Sequence, residues 1–320
     1  MIGPKNKLNA VIIGGGLGTR LKKVQNKPKL LTKFGKDHNL NLIINNLKKF
    51  NIDNIHILCG KDKELIKKNI KTEKLNLYGE KKLLGTAGCL TKLNNKSLAE
   101  HILIIFGDLL FKIDFKKYFK FHLKNKSDLT ILSHPSDHLL DSDIIDVDDN
   151  NKIKKIFFKP HKKKILANNL TMAGIFILKK KLLYEIPKKR KLDFSKFFVK
   201  KLIKSNKKVF SYNTREYCKD FGTPERLKKV RQDYNKKYLN YYFSKNKIPA
   251  IFLDRDGVLN KDLGPYKYSN PLNFFDISLK ALKKLRNSKY LIVLITNQSG
   301  VAKGFLTLNL LKDSFKNYQM

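Results

Sequence analysis

Three short apolar runs in this chain each end in a loop of glycine or aspartate. In chain order, the runs are 9–13 before Gly14, 101–106 before Gly107-Asp108, and 248–253 before Asp254. Apolar residues at helical spacing over 40–50 and 64–70 separate the first run from the second. Strands that alternate with helices predict an α/β fold with a largely parallel sheet, because parallel strands need crossover connections.

The chain divides into two predicted domains, 1–235 and 247–320. Thr223-Pro224-Glu225 is a favourable helix start between them, with Thr as the N-cap and Pro at the first helical position. We expect this connector helix to span about 224–243. The other predicted segments are strands over 55–59, 170–178 and 291–295, a helix near Leu279–Leu285, and an acidic surface excursion over 137–151.

The formal net charge of +41 first suggests nucleic-acid binding. However, 61 of the 68 basic residues are Lys spread along the chain, whereas phosphate and base recognition favours Arg. We therefore expect no nucleic-acid partner, but an attraction for nucleotides and sugar phosphates.

Hydropathy and cysteine usage predict a cytoplasmic protein without membrane association. No apolar stretch approaches the roughly 18 residues of a membrane span, and no secretory signal precedes the first strand-like run. Cys59, Cys89 and Cys218 lie far apart, without metal-ligand or disulfide spacing, as is usual in a reducing compartment.

Residues 14–20, Gly-Gly-Gly-Leu-Gly-Thr-Arg, form a glycine-rich loop after the first strand. Successive backbone N–H groups in such a loop can cradle phosphate, although a tight turn without a ligand is an equally common interpretation of a bare glycine cluster. A dinucleotide fingerprint would need glycine at Thr19, and a Walker A loop would need Gly-Lys-Ser or Gly-Lys-Thr, which is absent.

Together with Pro28-Lys29, this loop resembles the sugar-phosphate nucleotidyltransferase family. The further matches are Leu-Gly-Thr-Ala-Gly at 84–88, Gly-Asp at 107–108, Met-Ala-Gly-Ile-Phe at 172–176, and Asp-Phe-Gly-Thr-Pro-Glu-Arg at 220–226. The resemblance covers roughly residues 8 to 235 in the family's order. It implies a Rossmann-like nucleotidyltransferase domain with a mostly parallel mixed sheet.

The resemblance also implies a reaction in which a sugar 1-phosphate oxygen attacks the α-phosphorus of a nucleoside triphosphate, with GTP favoured, and pyrophosphate leaves. By role, the implied residues are Arg20 and Lys29 for catalysis, Gly15, Gly16, Gly18, Thr19, Gly85 and Thr86 for the nucleotide, Gly174 and Lys159 for the sugar, and Asp108 and Asp220 for the metal. Mg²⁺ is the implied cofactor, a hard ion suited to carboxylate and phosphate oxygens.

One position departs from the family pattern. The family often carries Glu-Lys-Pro in the middle of the domain, and the matching place here reads Phe158-Lys159-Pro160. The departure affects the sugar contacts rather than the nucleotide chemistry.

A second pair of carboxylates follows the apolar run that ends at Leu253. In Asp254-Arg255-Asp256-Gly257, the first aspartate can act as a nucleophile on phosphorus and the second as a general acid and base. Thr296-Asn297-Gln298 ends the next strand and offers a hydroxyl and amides to a phosphate. A calcium loop is an alternative, but its twelfth position, which should be Glu, is Pro265.

Residues 252–260 and 296–304 resemble haloacid-dehalogenase-type phosphatases of the histidinol-phosphate and heptose-1,7-bisphosphate branch. The resemblance implies an α/β unit with Asp254 as nucleophile, Asp256 as general acid and base, Thr296 and Asn297 as phosphate ligands, and Mg²⁺ at Asp254 and Asp256. The later Lys and acidic ligand of that family do not occur before Met320. We therefore expect a partial, inactive phosphatase domain.

The two resemblances fit consecutive steps, because removal of the 7-phosphate from a heptose bisphosphate yields a heptose 1-phosphate. We predict a nucleotidyltransferase with an attached phosphatase-type unit, acting in surface-glycan or lipopolysaccharide precursor synthesis. The alternatives are a phosphatase with a regulatory nucleotide-binding domain, a non-catalytic nucleotide-sugar sensor, and a nucleic-acid binder. No oligomeric state is predicted.

Overall fold

A computed structural model describes residues 8–16, 20–21, 24–25, 27–52, 54–70, 75–135, 141–161, 169–264, 273–286, 288 and 290–311. The described residues form two compact units: the first contains those up to His161 and from Leu170 to Ser244, and the second contains Asn169 and those from Lys245 onward. Within the described ranges, no helix is long and apolar enough to cross a membrane.

The first unit contains most of the secondary structure. Its strands are β1 Leu8–Ile13, β2 Lys33–Phe34, β3 Asp37–His38, β4 Ile55–Gly60, β5 Asn76–Gly79, β6 His101–Phe106, β7 Leu109–Phe111, β8 Leu129–His134, β9 Ile144–Val147, β10 Ile153–Phe157, β11 Thr171–Lys179, β12 Val209–Asn213 and β13 Cys218–Asp220. Its α-helices are α1 Asn39–Lys48, α2 Lys63–Asn69, α3 Gly85–Gly88, α4 Phe115–Lys124, α5 Lys200–Lys204, α6 Pro224–Asn235 and α7 Tyr238–Tyr241.

A mixed sheet, nine-stranded over the described residues, organises this unit. β1 lies at its centre and pairs in parallel with β4 on one side and β6 on the other. The antiparallel strand β11 follows beyond β6. The chain therefore leaves β1 in one direction and returns on its other side, which makes the carboxyl end of β1 a topological switch point, where open α/β sheets bind ligands. The predicted α/β class is confirmed.

Both faces of this sheet are buried, which explains why its central strands are continuously apolar. Successive side chains of a strand point to opposite faces. Ala10 and Ile12 accordingly pack into one core cluster, whereas Val11 and Ile13 pack into the other. The carboxyl end of β1, where the glycine loop begins, is thus supported by a core on both faces of the sheet.

Two segments differ from the sequence prediction. The described part of the predicted surface excursion contains β9, whose Ile144 and Ile145 are buried. Polar flanking residues had hidden this short strand. The predicted connector is two helices, α6 and α7, separated by Lys237 in the left-handed conformation. A third core cluster holds both helices to the first unit, with Phe221 and Val230 among its buried members.

The second unit is smaller. It contains strand β14 Ala250–Asp254, helix α8 Asp276–Arg286, strand β15 Leu291–Ile295 and helix α9 Ser299–Ala302. β14 and β15 pair in parallel, with Asp254 beside Ile295. Unlike the central strands of the first unit, they expose large apolar side chains: Phe252 is 64% accessible and Ile295 56%.

Candidate active site

Lys29 is positioned by the buried side chain of the next residue, Leu30, which lies between the ends of β1 and β6. It begins a short 3-10 helix, Lys29–Leu31, whose Leu30 is fully buried. The Leu30 side chain lies against both Gly14, after β1, and Gly107, after β6; a Cβ at Gly107 would come within 2.6 Å of Leu30 Cδ2. These two glycines therefore make room for Leu30, which places Lys29 at the sheet edge.

Asp108 lies directly beside Lys29. The Lys29 Nζ donates to Asp108 Oδ2 over 2.7 Å, and both side chains are partly buried. Asn39, at the start of α1, holds the turn that carries Asp108: its buried Nδ2 donates to the carbonyls of Gly107 and Leu109, each at 3.1 Å. Sequence reasoning missed Asn39, because an isolated asparagine before a helical pattern resembles an ordinary helix start.

Asp220 reaches the same place although it is distant in sequence. β13 pairs antiparallel with β7, which sets Asp220 opposite Leu109, and the Phe221 N–H donates to the Asp108 carbonyl at 3.0 Å. A Cβ at Gly222 would lie 3.4 Å from Asp220 Oδ1, 3.5 Å from Asp108 Oδ2 and 3.7 Å from Lys29 Nζ. The three predicted side chains thus converge on one point.

This pair of carboxylates fits Mg²⁺. The ion takes oxygen ligands and is usually held by one or two carboxylates together with substrate phosphates. Over the part of the chain that the structure describes, no cluster of three or more His, Cys, Asp or Glu side chains is suited to a metal. Asp108 and Asp220 therefore suit an ion that completes its coordination with phosphate and water.

Arg226 connects Asp220 to the predicted sugar side of the site. Its Nη1 donates to both Asp220 oxygens, at 2.8 and 3.0 Å, and its Nη2 pairs with Asp141. Asp141 in turn contacts Lys159, whose Nζ donates to the Asp141 carbonyl at 2.9 Å. Sequence reasoning placed Arg226 inside a motif but gave it no role; the structure shows that it bridges Asp220 and Asp141.

The residues predicted to bind the sugar, Gly174 and Lys159, lie on β11 and after β10. Gly174 has φ +72°, within the stretch of β11 where its pairing register with β8 shifts, so a glycine is needed there. The Lys159 backbone N–H donates to Asp143 Oδ1 at 3.1 Å. Burial raises the pKa of Asp143, and nearby Lys159 opposes that effect.

The predicted nucleotide side contains a close backbone contact between the ends of β1 and β4. Gly15 packs on Gly60, such that a Cβ at Gly15 would lie 3.0 Å from the Gly60 backbone. Glu80 is beside them, with Oε2 3.3 Å from that same Cβ position. Burial raises the pKa of Glu80, and among the described residues its Oε1 has no hydrogen-bond partner. Glu80 was missed because a single acid after a strand has no distinctive spacing.

Gly85 and Thr86 begin α3, which is anchored to residues 192–194. Gly85 has φ +75°, and a Cβ there would lie 2.5 Å from the Leu192 carbonyl oxygen. The Thr86 hydroxyl accepts a hydrogen bond from the Phe194 N–H at 2.8 Å. Residues 192–194 thus support the predicted nucleotide-binding turn. The Thr86 hydroxyl already accepts one hydrogen bond from this segment.

Of the other residues predicted in the glycine loop, the structure describes Gly16 and Arg20. Gly16 is in open space, with nothing within 4 Å of a Cβ at that position. Arg20 is exposed and makes no ion pair or hydrogen bond with the described residues. Gly18 and Thr19 lie outside the described residues.

In the second unit, the predicted phosphate residues follow two neighbouring parallel strands. Asp254 ends β14, while Thr296 and the exposed Asn297 follow β15. Gln298 Nε2 lies 2.6 Å from Asp256 Oδ2 and 2.8 Å from Thr296 Oγ1, so it links these two side chains.

Asp256 is held as a carboxylate. Burial raises its pKa, but hydrogen bonds from Arg255, Asn260 and Gln298 outweigh burial and lower the pKa overall. A general acid needs a proton to give, so these three donors oppose the first half of the role predicted for Asp256.

Over a short stretch, the chain is similar to part of a phosphatase. A D-glycero-β-D-manno-heptose-1,7-bisphosphate 7-phosphatase from Pasteurella multocida (strain Pm70) is 50% identical over 58 residues. The match covers 18% of this chain and 32% of that protein, so the chain spans about a third of that relative's length.

The chain is also similar to sugar-nucleotide enzymes over most of its length. A glucose-1-phosphate adenylyltransferase from Clostridium novyi (strain NT) is 28% identical, covering 77% of this chain and 74% of that protein. A D-glycero-α-D-manno-heptose 1-phosphate guanylyltransferase from Aneurinibacillus thermoaerophilus is 27% identical, covering 71% and 98%. The crystal structure of HddC from Yersinia pseudotuberculosis matches with a TM-score of 0.60 and 26% identity, covering 71% and 99%.

The family model "Nucleotidyl transferase" matches residues 9–237, which include the glycine loop, the Lys29–Asp108 pair and Asp220. The match and the site therefore rest on the same part of the chain, and the protein belongs to the nucleotidyl transferase family.

Proposed function

We propose that the first unit transfers a guanylyl group from GTP to a heptose 1-phosphate and releases pyrophosphate. The observation that carries this proposal is the convergence of Lys29, Asp108 and Asp220 on one point beside the glycine loop. Similarity to a heptose 1-phosphate guanylyltransferase over 98% of that protein's length supports the choice of substrates.

The proposed reaction replaces one phosphorus–oxygen bond with another. A phosphate oxygen of the sugar 1-phosphate attacks the α-phosphorus, and the bond to the bridging oxygen of the leaving pyrophosphate breaks. Charge develops on several oxygens, so prepositioned cations and amides supply most of the stabilisation. Lys29, held at the sheet edge by Leu30, neutralises phosphate charge, and the glycine-loop amides orient the triphosphate.

Asp108 and Asp220 are the residues that would hold Mg²⁺. When bound there, the ion would neutralise and orient the phosphates. The carboxylates are suited to this task because β7 and β13 set them side by side on a buried scaffold. A cytoplasmic location remains a prediction.

Glu80 supports guanine as the base. Guanine presents adjacent N–H donors at N1 and N2, and a carboxylate is an acceptor for both. Glu80 lies beside Gly15, and its buried Oε1 has no hydrogen-bond partner among the described residues, so the side chain would have to turn towards the base to use it. A Glu80→Gln variant should lose at least about 10-fold of its preference for GTP over ATP in kcat/KM. An unchanged preference would remove Glu80 from base recognition.

The deciding experiment pairs GTP, ATP, dTTP, CTP and UTP with heptose, mannose and glucose 1-phosphates, scored by pyrophosphate release. Both heptose anomers are required, because the guanylyltransferase relative is named for the α anomer and the phosphatase relative for the β anomer. We expect GTP with a heptose 1-phosphate to give the highest kcat/KM. Faster turnover with another pair would replace these substrates, and no release with any pair would favour a regulatory or sensing role.

For the second unit, we propose a phosphatase-type fold without turnover of its own. The specific observation is Asp256, whose carboxylate is committed to Arg255, Asn260 and Gln298. The test is phosphate release from heptose 1,7-bisphosphate, compared with an Asp254→Asn variant. Release that depends on Asp254 would establish a second activity and overturn this proposal.

A further inference from the structure

Arg226 lies between the predicted cation site and the predicted sugar side of the active site. It contacts Asp220 through one guanidinium nitrogen and Asp141 through another, and its side chain is only 21% accessible. We propose that Arg226 is a positioning residue that holds Asp220 when no cation is bound and, through Asp141, couples cation binding to the sugar-side segment 141–161. The inference rests on the proposed function, in that Asp108 and Asp220 are taken as the cation ligands.

The first step of the argument is charge balance. Each carboxylate has its own cationic partner: Lys29 for Asp108 and Arg226 for Asp220. A divalent ion binds carboxylate oxygen at about 2.0–2.1 Å, much closer than the guanidinium nitrogen lies now. Because Nη1 donates to both Asp220 oxygens, an arriving cation competes with Arg226 for them. Its positive charge also repels the cation, so the cation binds more tightly once Arg226 has withdrawn from Asp220.

The second step is where Arg226 goes. Its other nitrogen is held by Asp141, so Arg226 keeps a carboxylate partner when it leaves Asp220. Asp141 belongs to a short segment joined to 159–161 by several hydrogen bonds. They link Lys159 Nζ to the Asp141 carbonyl, the Lys159 N–H to Asp143, and His161 Nε2 to the Ser142 carbonyl at 2.7 Å.

The third step is the coupling. Lys159 Nζ lies 3.6 Å from Asp141 Oδ1, so Lys159 and Arg226 share this carboxylate. A sugar phosphate that attracts Lys159 leaves Asp141 more available to Arg226, which frees Asp220 for the cation. By linkage, the cation must favour sugar-phosphate binding by the same factor. The device would disfavour a cation bound without its substrate.

The test measures Mn²⁺ binding without nucleotide, from the electron paramagnetic resonance signal of free Mn²⁺. Arg226→Met should bind Mn²⁺ about tenfold more tightly than the wild type, because a competing cation is gone. Arg231→Met is the matched control, since Arg231 is exposed on the same helix and makes no ion pair with the described residues. Arg226→Lys, which keeps the charge, should lie near the wild type. A double Asp108→Asn, Asp220→Asn variant gives the background.

The coupling is tested by repeating the titration with mannose 1-phosphate, and with heptose 1-phosphate if the substrate assay selects it. Sugar phosphate should tighten Mn²⁺ binding several-fold in the wild type and leave it unchanged in Asp141→Asn. Equal or weaker Mn²⁺ binding by Arg226→Met, or coupling that persists in Asp141→Asn, overturns the inference even if the enzyme turns over normally. Conversely, the expected Mn²⁺ shifts without pyrophosphate release from any substrate pair would overturn the proposed function alone.

Discussion

The two units each carry two carboxylates at strand ends, yet they support them differently. In the first unit, Asp108 and Asp220 are 112 positions apart in sequence (220 − 108) and meet through the β7–β13 pairing. In the second unit, Asp254 and Asp256 are two residues apart, and neighbouring Arg255 is a main partner of Asp256. The first pair is a product of the whole fold, and the second is largely local.

The supporting sheets differ in the same way. β1 is buried along nearly its whole length and is covered on both faces, whereas β14 exposes Phe252 and Asp254. A close-packed scaffold holds side chains to the tolerance that catalysis requires. A matching motif therefore says which residues are present, while the packing beneath it decides whether they form a working site.

The sharpest way to break this comparison is to remove one carboxylate from each unit. Asp108→Asn should reduce pyrophosphate release at least about 100-fold, because it removes a charge on which the phosphates and cation depend. Asp254→Asn should leave the same rate unchanged. Steady-state pyrophosphate assays on both variants provide the measurement.

Circular dichroism at matched concentrations is the control, because a misfolded Asp108→Asn protein would lose activity for another reason. If Asp254→Asn also loses pyrophosphate release, the second unit takes part in the transfer reaction, and the two sites cannot be treated separately.

Adding a methyl group to one glycine of each unit is expected to have a smaller effect. Gly107→Ala places a Cβ 2.6 Å from Leu30 Cδ2, inside a packed region, and should destabilise the first unit by about 1–3 kcal/mol. It should also lower pyrophosphate release, since it displaces the turn that carries Asp108. Gly257→Ala meets no atom within 4 Å, but its φ of +76° should cost about 1–2 kcal/mol without affecting release.

Chemical denaturation and the pyrophosphate assay together test this pair. Full stability in Gly107→Ala would mean that Leu30 moves freely, and the account of how Lys29 is positioned would then be wrong.

Much of the first unit's architecture could be predicted from the sequence. Apolar strands such as 101–106 were placed correctly, because central strands of a parallel sheet are buried on both faces. The predicted residues Lys29, Asp108 and Asp220 also meet. Local patterns predicted the strands and the glycine loop, since each has its own hydrophobic period or glycine content, whereas the three site residues were predicted from the family resemblance.

The rest depended on contacts between distant segments. Nothing in the sequence near Arg226 indicates Asp141, and nothing near Asn39 indicates the carbonyls of Gly107 and Leu109. β9 was missed because its buried residues are only Ile144 and Ile145, too few to establish a period within a polar stretch. Tertiary partners of single polar residues are invisible to pattern reasoning.

Acid should destabilise the two units differently, because all seven histidines lie in the first. Burial, with the nearby His101 and Lys179, lowers the pKa of His122 from an ordinary value near 6.5 to about 3. As the pH falls below 6.5, His122 takes up a proton in the unfolded chain but stays neutral in the folded protein. Proton binding therefore favours the unfolded chain, and the free energy of unfolding decreases as the pH falls from 6.5 towards 3. The expected loss is about 1.4 kcal/mol for each pH unit in that range.

Hydrogen exchange read by mass spectrometry can follow β1 and β14 separately at pH 7 and pH 5, after correction for the intrinsic exchange rate. Protection of β1 should fall more steeply than that of β14, and His122→Gln should flatten the difference. An unchanged slope in His122→Gln would assign the acid sensitivity to other groups.

The smallest expected effect comes from the apolar surface of β14. Phe252 is 64% exposed, so Phe252→Thr should change the free energy of unfolding by less than about 0.5 kcal/mol. Phe176 on β11 is the matched control: it is fully buried, its ring centroid lies 4.6 Å from that of Phe194, and Phe176→Ala should cost about 3–5 kcal/mol. Urea denaturation of both variants measures the contrast. A loss above about 1 kcal/mol in Phe252→Thr would mean that this side chain is covered in solution, and the second unit's open sheet would then be a contact surface rather than a weak scaffold.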